Sequence, residues 1–445
     1  MTSSTSPTAI ILAAGEGTRM RSPLPKVLHP VGHKPLIAHV MDAAKAAGLA
    51  RTCLVLGHGR REVEETMKAA GHTFAVAEQT QRLGTGHAVM TVRDAGLLGD
   101  GPVMVLLGDA PLIRPDLIEQ ALARLQGGAD IAVVGFEAVD PTGYGRLIMD
   151  GESLRAIVEE KDAAVDQRAV TLCNSGLMAF APGVLAPLLG RLNNDNAKGE
   201  YYLTDAIGLA AEAGQSVAVT LADEADLAGV NTRADLAAVE AAFQSRRRHE
   251  LMLSGVSMQA PETVMLAHDT VIEPDVTLEP NIVFGLGVTV RSGATIRAFC
   301  HLEGATVGEG ATIGPFARLR PETTIGDGAR VGNFCEVKKA AIDEGAKVNH
   351  LSYIGDAHVG AGANIGAGTI TCNYDGRNKH HTEIGEGAFI GSNSALVAPV
   401  TVEAGGYVGS GSVITKTVPS GDLAIARAKQ VNLRGRAPKP KNKRQ

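Results

Sequence analysis

From Ile272 onward an apolar side chain returns every six residues, and the series runs with occasional one-residue slips as far as Ile414. An amphipathic helix has a period of about 3.6 residues and a half-buried strand a period of about two, so neither explains this spacing. A hexapeptide repeat explains it, because each coil of a parallel β-helix contains three short strands and each strand directs one side chain inward. We therefore predict a left-handed parallel β-helix over residues 254–445.

The first half of the chain has a different pattern, in which short apolar runs alternate with longer amphipathic stretches. The strand–helix pairs that this alternation predicts are 9–12 with 36–47, 52–56 with 63–70, and 103–107 with 117–125. Such alternation predicts a mostly parallel, doubly wound α/β sheet with a Rossmann-like arrangement, whose ligands bind at the carboxyl ends of the strands. We expect this domain to occupy residues 1–232. A helix predicted over 233–253 either links the two domains or is the last helix of the first.

The amino-acid composition narrows the possible classes of protein. Hydrophobic residues make up 44% of the 445 and charged residues 20%, which is typical of a soluble globular protein. The net charge of −6 argues against a globally basic nucleic-acid binder. The five cysteines form no CxxC pair, which argues against a zinc site and favours a reducing cytoplasm. Because no apolar run reaches about 18 residues, we expect no membrane association.

The first predicted strand leads into a glycine-containing loop, Leu-Ala-Ala-Gly-Glu-Gly-Thr-Arg-Met, at residues 12–20. Its glycines let backbone N–H groups approach a nucleotide, and Arg19 and Lys26 add positive charge. A GxG pair alone is more often a structural turn, and the pattern is neither the Rossmann GxGxxG nor the P-loop. Further along, Asp109 follows a predicted strand, where a carboxylate either holds a metal–phosphate complex or caps the next helix.

The β-helix alone is compatible with an acyltransferase and with a passive oligomerisation scaffold. Arg320 and Lys338 lie 18 residues apart, which is three hexapeptides, so we expect them to stack on one edge. They repel each other unless an anion lies between them, although a solvated basic ladder is an alternative. His350 is a candidate base within the same coils. The longest break in the period, residues 373–381, predicts an exposed insertion loop, and such loops usually lie on the functional face.

The C-terminal stretch 427–445 contains eight basic residues and no acidic ones. Its last nine residues have a composition that predicts disorder. From the residues alone, this tail is either a solubilising segment or a basic arm that reaches a phosphorylated ligand.

Several motifs resemble those of known families. The combination AAGxGTRM and LPKVL is similar to the signature of sugar-nucleotide pyrophosphorylases. With NFxExKKA, HLxYxGDA and NIGAGTITCNYDG, the chain from residue 8 to about 430 resembles the bacterial bifunctional glucosamine-1-phosphate N-acetyltransferase / N-acetylglucosamine-1-phosphate uridylyltransferase family. The resemblance implies acetyl transfer from acetyl-CoA to glucosamine 1-phosphate, then uridylyl transfer from UTP with release of pyrophosphate. It further implies Mg²⁺, a cytoplasmic homotrimer, and a product used for peptidoglycan and lipopolysaccharide.

The resemblance also implies a role for particular residues. Lys26 and Arg19 would neutralise charge during uridylyl transfer, and Asp109 and Asn231 would hold Mg²⁺. His350 would be the base of acetyl transfer. The implied UTP and UDP-sugar site contains Leu12, Ala13, Ala14, Gly15, Lys26, Gln79, Gly84, Thr85, Gly108, Gly145, Glu159, Asn174 and Asn231. The implied acetyl-acceptor site contains Arg320, Lys338, Tyr353 and Asn364. The implied acetyl-CoA site contains Ala367, Asn373, Tyr374, Ser392, Ser410 and Arg427.

Three residues depart from the family pattern. Glu16 stands where Lys is frequent, Leu107 where an aromatic residue is common, and Ser410 where Ala is usual. We expect Glu16 to remove one positive charge near the phosphates. The main alternative function is a monofunctional sugar-1-phosphate nucleotidylyltransferase with a purely structural β-helix. A non-catalytic relative is a second alternative, although the presence of Lys26 and Asp109 argues against it.

Overall fold

The structure is a computed structural model that describes residues 6–437, so most of the tail segment predicted to be disordered lies outside the described residues. The chain divides into two compact units, Met1–Gln244 and Ser245–Gln445. The boundary falls inside the helix predicted over 233–253, which is continuous from Arg233 to Leu253. Within residues 6–437 there is no helix of the length and apolarity that a membrane crossing requires.

The first unit is an α/β domain. Its strands are β1 (Thr8–Ala13), β2 (Pro30–Val31), β3 (Lys34–Pro35), β4 (Arg51–Leu56), β5 (Ala75–Glu78), β6 (Val103–Leu107), β7 (Ile131–Glu137), β8 (Arg146–Asp150), β9 (Ser153–Val158), β10 (Leu172–Phe180) and β11 (Val217–Leu221). Its helices are α1 (Leu36–Ala46), α2 (Arg60–Ala69), α3 (Thr85–Asp94), α4 (Pro115–Gln126), α5 (Val165–Arg168), α6 (Leu185–Leu189), α7 (Asp205–Glu212) and the first part of α8 (Arg233–Leu253).

The main sheet of this unit has the order β11-β7-β10-β6-β1-β4-β5. All neighbours are parallel except β10, which is antiparallel to both β6 and β7. Ile10 and Ile11 of the central strand β1 are fully buried, as in a parallel strand covered on both faces. The predicted fold class is confirmed, and the carboxyl ends of β1, β4 and β6 lie side by side. The glycine-containing loop at residues 12–20 and Asp109 therefore lie at the same edge of the sheet.

The second unit is a parallel β-helix. Its strands are β12 (Ser257–Met258), β13 (Val264–Met265), β14 (Val271–Ile272), β15 (Thr277–Leu278), β16 (Ile282–Phe284), β17 (Thr289–Val290), β18 (Thr295–Ile296), β19 (His301–Leu302), β20 (Ala305–Val307), β21 (Thr312–Ile313), β22 (Arg318–Leu319), β23 (Thr323–Ile325), β24 (Arg330–Asn333), β25 (Glu336–Ile342), β26 (Lys347–His350), β27 (Tyr353–Val359), β28 (Asn364–Ile365), β29 (Ile370–Cys372), β30 (Thr382–Ile384), β31 (Phe389–Ile390), β32 (Ala395–Val397), β33 (Val400–Val402), β34 (Tyr407–Val408), β35 (Val413–Ile414) and β36 (Leu423–Ala424).

The strands form three faces. Face A is a ten-stranded parallel sheet that contains β24, β26 and β28. Face B contains β19, β22, β29, β32 and β35, and face C contains β20, β23, β30 and β33. Strands β25 and β27 are long enough to run from face B around a corner into face C. Residues that the hexapeptide period aligns are register partners, for example Ile296 with Ile313, and both are fully buried.

The long break in the period has a structural cause. Thr371 takes the inward position of its strand, where the period has an aliphatic residue, and is fully buried. A buried hydroxyl is possible there because it accepts a hydrogen bond from Gly355 N at 2.8 Å and donates one to Gly355 O at 3.1 Å. The insertion then leaves the coil between β29 and β30. The expectation that all of 373–381 is exposed is wrong at its first residue, since Asn373 is 6% exposed and bonds to the buried Asp356.

Candidate functional sites

A cleft of about 290 Å³ lies at the carboxyl edge of the α/β sheet. The residues that line it are Leu12, Ala13, Ala14, Gly15, Lys26, Val27, Gln79, Arg82, Gly84, Thr85, Ala88, Leu107, Asp109 and Glu200. The structure thus brings nine of the predicted nucleotide and metal residues together. Gly108 lies beside them, donating from its backbone N–H to Leu12 O at 2.9 Å. Arg19 is an exposed residue of a short 3₁₀ turn, Thr18–Met20, outside this lining.

Lys26, Asp109 and Asn231 meet in the cleft although they lie far apart in the chain. Lys26 begins a 3₁₀ turn, Asp109 follows β6, and Asn231 precedes α8. The Lys26 ammonium forms an ion pair with the Asp109 carboxylate and lies 3.2 Å from Asn231 Oδ1. Backbone Val230 N donates to Asp109 O at 2.9 Å, which joins the two oxygen-bearing segments. Lys26 and Asp109 are mostly buried, at 13% and 19% side-chain exposure.

This geometry tests the implied metal site. The oxygens of Asp109 and Asn231 both face one cation, the Lys26 ammonium, and oxygen ligands are those that Mg²⁺ prefers. Across residues 6–437, no cluster of three or more His, Cys, Asp and Glu side chains is arranged to hold a metal. A site with two protein oxygens fits Mg²⁺, because this ion commonly keeps waters and binds substrate phosphates.

The start of α8 holds Asn231 in place, which sequence reasoning missed. Asp235 Oδ2 accepts hydrogen bonds from Asn231 N at 2.9 Å and Thr232 N at 2.8 Å. Thr232 Oγ1 accepts in return from Asp235 N at 3.2 Å, so the pair forms a capping box. Arg233 donates to Met20 O at 3.3 Å and contacts His29 Nδ1 at 3.2 Å. Burial lowers the pKa of His29, and the Arg233 charge adds to this effect.

Three residues of the implied UTP site, Gln79, Gly84 and Thr85, are held by hydrogen bonds and close packing. Gln79 is 6% exposed, and its amide nitrogen donates to Gly84 O at 3.0 Å. Gly84 has φ of +103°, and a Cβ there would lie 2.5 Å from Tyr201 O, so only glycine fits. Thr85 Oγ1 accepts from Leu203 N at 3.1 Å.

Glu16 has a partner at the rim of the cleft. It forms an ion pair with Arg82, whose hydrogen bond lowers the pKa of the Glu16 carboxyl. Both side chains are more than a third exposed, so the pair contributes little to stability. Its effect at this rim is to offset the positive charge of Arg82.

Three further residues of the implied UDP-sugar site, Gly145, Glu159 and Asn174, form a second group. Asn174 N donates to Gly145 O at 2.8 Å, and a Cβ on Gly145 would lie 3.7 Å from Glu159 Oε1. Glu159 Oε1 in turn accepts from Thr204 Oγ1 at 3.2 Å. The neighbouring Arg146 is 1% exposed and pairs with a glutamate at the end of β9. Three of the predicted residues therefore share one region of the domain.

On the β-helix, four of the six residues implied for coenzyme A form a column along the corner between faces A and B: Ala367, Ser392, Ser410 and Arg427. Each backbone carbonyl in the column accepts a hydrogen bond from the residue that turns the corner on the next coil. The donor–acceptor pairs are Leu351 N to Asn333 O, Gly368 N to His350 O, Asn393 N to Ala367 O and Gly411 N to Ser392 O, at 2.7–3.1 Å. At the last position of the series the donor is a side chain, because the guanidinium of Arg427 donates to Ser410 O. The column rises from His350 to Arg427.

A cluster of cations lies on face B. Arg320 donates to Glu336 Oε1 at 2.9 Å. The neighbouring Lys379 ammonium lowers the pKa of Lys338, and Arg320 contributes to the same effect. Three cations this close together favour an anion between them, which is what a sugar phosphate supplies. The predicted pair Arg320 and Lys338 is therefore extended by Lys379, a residue of the insertion that sequence reasoning missed.

Two buried side chains join this cluster to the insertion. Asp356 lies 3.8 Å from Lys379 Nζ and accepts from Asn373 Nδ2. The same nitrogen lies 3.4 Å from the Tyr353 hydroxyl, so Tyr353 and Asn373 are neighbours. Tyr374 is 59% exposed and donates to Gly376 O at 2.8 Å within the insertion.

His350 and Asn364 lie apart from the face B cluster. The His350 ring is exposed and bonds through Nδ1 to Asn333 Oδ1 at 2.7 Å. It lines a cleft of about 330 Å³ together with Asn333, Arg297 and Arg330. Asn364 is on face A, in register with a lysine of β26 and a phenylalanine of β31.

Comparisons with known proteins match both units of the chain. Residues 9–199 match the family model of the MobA-like NTP transferase domain, and residues 304–339 match six repeats of the bacterial transferase hexapeptide family. Fold and sites thus define a nucleotidyltransferase joined to a hexapeptide-repeat transferase.

Relatives named "Bifunctional protein GlmU" are similar over nearly the whole chain. One from Allorhizobium ampelinum is 59% identical, covering 95% of this chain and 93% of the relative. One from Rhizobium johnstonii is 56% identical over 96% and 95%, and one from a Ruegeria species is 54% identical over 97% and 96%. The chain belongs to the GlmU family of bifunctional proteins. Because these relatives match nearly the whole chain and are named bifunctional, the monofunctional alternative is not favoured.

Proposed function

We propose that the chain is a bifunctional enzyme of UDP-N-acetylglucosamine synthesis, acting as a glucosamine-1-phosphate N-acetyltransferase and an N-acetylglucosamine-1-phosphate uridylyltransferase. The observation that carries the proposal is that one chain holds both the Lys26 cluster in a nucleotidyltransferase domain and the His350 column on a hexapeptide β-helix. Relatives that share both halves are named bifunctional. The substrates are small molecules: glucosamine 1-phosphate, acetyl-CoA and UTP.

In uridylyl transfer, a phosphate oxygen of N-acetylglucosamine 1-phosphate attacks the α-phosphorus of UTP and pyrophosphate leaves. Two anions must approach each other, so catalysis consists mainly of charge neutralisation and alignment. Lys26 supplies a positive charge in the cleft, and we propose Arg19 as a further cation at its loop. Asp109 and Asn231 would hold Mg²⁺, which when bound neutralises phosphate charge. Gln79, Gly84 and Thr85 would hold the base.

In acetyl transfer, we propose that His350 takes a proton from the amine of glucosamine 1-phosphate as the nitrogen attacks the thioester carbonyl. Coenzyme A then leaves as the thiol. A histidine suits this task because an imidazole can both accept and release a proton near neutral pH. Arg320, Lys338 and Lys379 would neutralise the sugar phosphate, and Tyr353 would contact the sugar, with Asn364 on face A as a further contact.

Coenzyme A is an elongated molecule, and a column of successive coils suits it. We propose that it lies along Ala367, Ser392 and Ser410, with Arg427 at its phosphates. Asn373 and Tyr374 would add contacts from the insertion between β29 and β30. With this role for Arg427, the start of the basic tail would be an arm that reaches a phosphorylated ligand rather than a solubilising segment.

We further propose a cytoplasmic homotrimer whose acetyl-transfer sites are completed between subunits. Within one chain, the cation cluster lies on face B while His350 lies on the corner with face A. An aromatic ladder of Phe299, Phe316 and Phe334 runs along the same corner, stacked at 4.8 and 5.1 Å and about half exposed. Such an apolar surface is typical of an interface. The product would serve peptidoglycan and lipopolysaccharide synthesis.

The decisive experiment measures thiol release from acetyl-CoA on addition of glucosamine 1-phosphate, with wild type beside His350→Ala. We expect release by the wild type and its loss in the folded variant. Pyrophosphate release from UTP and N-acetylglucosamine 1-phosphate is measured on the same samples. Absence of thiol release from active uridylyltransferase would leave the monofunctional alternative.

A further inference from the structure

We propose that Asn333 is a positioning residue for His350, which holds the imidazole in the tautomer whose Nε2 is free to accept the proton of the acceptor amine. The inference rests on the proposed role of His350 as the base. It starts from the hydrogen bond between His350 Nδ1 and Asn333 Oδ1, at 2.7 Å.

The chemistry of the two groups sets the tautomer. An amide oxygen only accepts hydrogen bonds, so the proton in this bond belongs to Nδ1 of the neutral ring. The single remaining lone pair of the ring is then on Nε2, which points away from Asn333. A neutral acceptor orients the ring in this way without the negative charge that would favour the imidazolium. Asn333 is thus suited to a base that must release its proton after each turnover.

Coil stacking holds both partners in place. Asn333 ends β24 and His350 ends β26, and the two are register partners on adjacent coils of face A. Leu351 N donates to Asn333 O at 3.0 Å, while His350 O accepts from Ser352 Oγ at 2.8 Å and Gly368 N at 3.1 Å. The backbones of both residues are therefore fixed at the corner, and their side chains lie next to each other on the same side of the sheet.

A glycine beside the pair permits the close approach. A Cβ at Gly332 would lie 2.0 Å from Asn349 O, so any larger residue would separate the two coils that carry Asn333 and His350. The coenzyme column begins on the opposite side of His350, one coil further on, at Ala367. His350 therefore lies between the Asn333 side chain and the first residue proposed for acetyl-CoA.

The test combines a spectroscopic and a kinetic measurement on the full chain. Wild type, Asn333→Ala and Asn333→Asp are labelled with ¹⁵N-histidine, and His350→Gln identifies the His350 signals. We expect unprotonated Nε2 and protonated Nδ1 in wild type, and exchange between both tautomers in Asn333→Ala. Thr312→Val is the matched control. Thr312 lines the same cleft as His350, two coils before it, and valine keeps the size of the threonine side chain.

The kinetic expectation separates orientation from substrate binding. Asn333→Ala should lower kcat of acetyl transfer on the order of 10²-fold with KM for acetyl-CoA changed by less than about twofold, since a misplaced base costs rate rather than affinity. Asn333→Asp should keep most activity but move the acidic limb of the pH profile upward, because a carboxylate stabilises the imidazolium. Uridylyl transfer on the same samples reports folding.

Two results would overturn the inference. One is a wild-type spectrum with the proton on Nε2 at a pH where acetyl transfer is fast. The other is a kcat of Asn333→Ala within about twofold of wild type while His350→Gln is inactive. If His350→Gln itself keeps full activity, the proposed base is wrong, and that outcome is distinct from failure of Asn333 alone.

Discussion

The two candidate sites are built in opposite ways. In the α/β unit, Lys26, Asp109 and Asn231 come from three distant segments and meet at one point, where Lys26 contacts both of the others. In the β-helix, residues from consecutive coils lie in a line along a corner, and His350 is exposed. A doubly wound sheet brings its strand ends together, whereas a solenoid spaces its coils about 4.8 Å apart. The first arrangement suits a compact ligand such as a nucleotide, and the second suits a long one such as coenzyme A.

The largest effect should come from breaking the compact site. Lys26→Ala removes the cation from the cleft and leaves the Asp109 carboxylate without its partner. We expect uridylyl transfer to fall more than about 10³-fold, because the reaction depends on charge neutralisation. Pyrophosphate release measures this loss.

Acetyl transfer by the same Lys26→Ala sample is its control. The β-helix forms a separate compact unit with its own core, so thiol release should stay at the wild-type rate. If a folded Lys26→Ala protein lost both activities, the two sites would not be independent.

The converse change breaks the extended site. His350→Gln keeps the size of the side chain but removes the base, so acetyl transfer should fall about 10²-fold or more. Uridylyl transfer should be unaffected. Retention of thiol release by this variant would mean that the corner column binds coenzyme A without supplying the proton acceptor.

The same contrast explains what the sequence predicts. The period of six identified the β-helix because one inward position per strand repeats regardless of what surrounds it. The length of a coil places Asn333 one coil before His350. However, no sequence pattern shows which polar residue at a corner is the partner of another. The burial of Asn373 depends on Asp356, 17 residues earlier, and only the coil register shows that pairing.

The α/β site was predictable for other reasons. Strand–helix alternation placed Asp109 at a strand end, the glycine-containing loop indicated Lys26 as a nearby positive charge, and the resemblance supplied Asn231. The capping box at Thr232 and Asp235 had a local signal in its i, i+3 spacing. By contrast, Glu16 and Arg82 are 66 residues apart with no local pattern, so the pair that offsets the rim charge required the structure.

A smaller effect should come from loosening the compact site without removing its charges. Asp235→Ala removes the acceptor that fixes the backbone of Asn231, so Asn231 Oδ1 should lose its orientation toward Lys26. We expect the Mg²⁺ concentration for half-maximal uridylyl transfer to rise about tenfold, as when the support of a metal ligand is lost. Asp235→Asn is the control, because its amide oxygen can still accept hydrogen bonds from Asn231 N and Thr232 N. Equal Mg²⁺ dependence in Asp235→Ala and wild type would refute this role.

The smallest effect concerns the stability of the extended unit. His358 on face C bonds to Glu383 Oε1 at 2.6 Å and to Asp343 Oδ2 at 2.7 Å, so three successive coils are joined. The Glu383 hydrogen bond raises the pKa of His358 above its ordinary value of 6.5, Asp343 adds to this, and burial opposes it. Glu383 also holds His381, at the end of the insertion, at 3.1 Å.

A raised folded-state pKa gives stability that is fully present below the unfolded pKa and is lost as pH rises through the folded one. His358→Gln should therefore lower the Tm of the β-helix by about 1–3 °C at pH 5.5 and by almost nothing at pH 8.5. The effect is small because His358 and its two carboxylate partners are partly exposed. Calorimetry at both pH values measures this difference. His301→Gln, an exposed histidine on face B, should show no such dependence. A larger loss at pH 8.5 than at 5.5 would mean that neutral His358 stabilises the coils by packing.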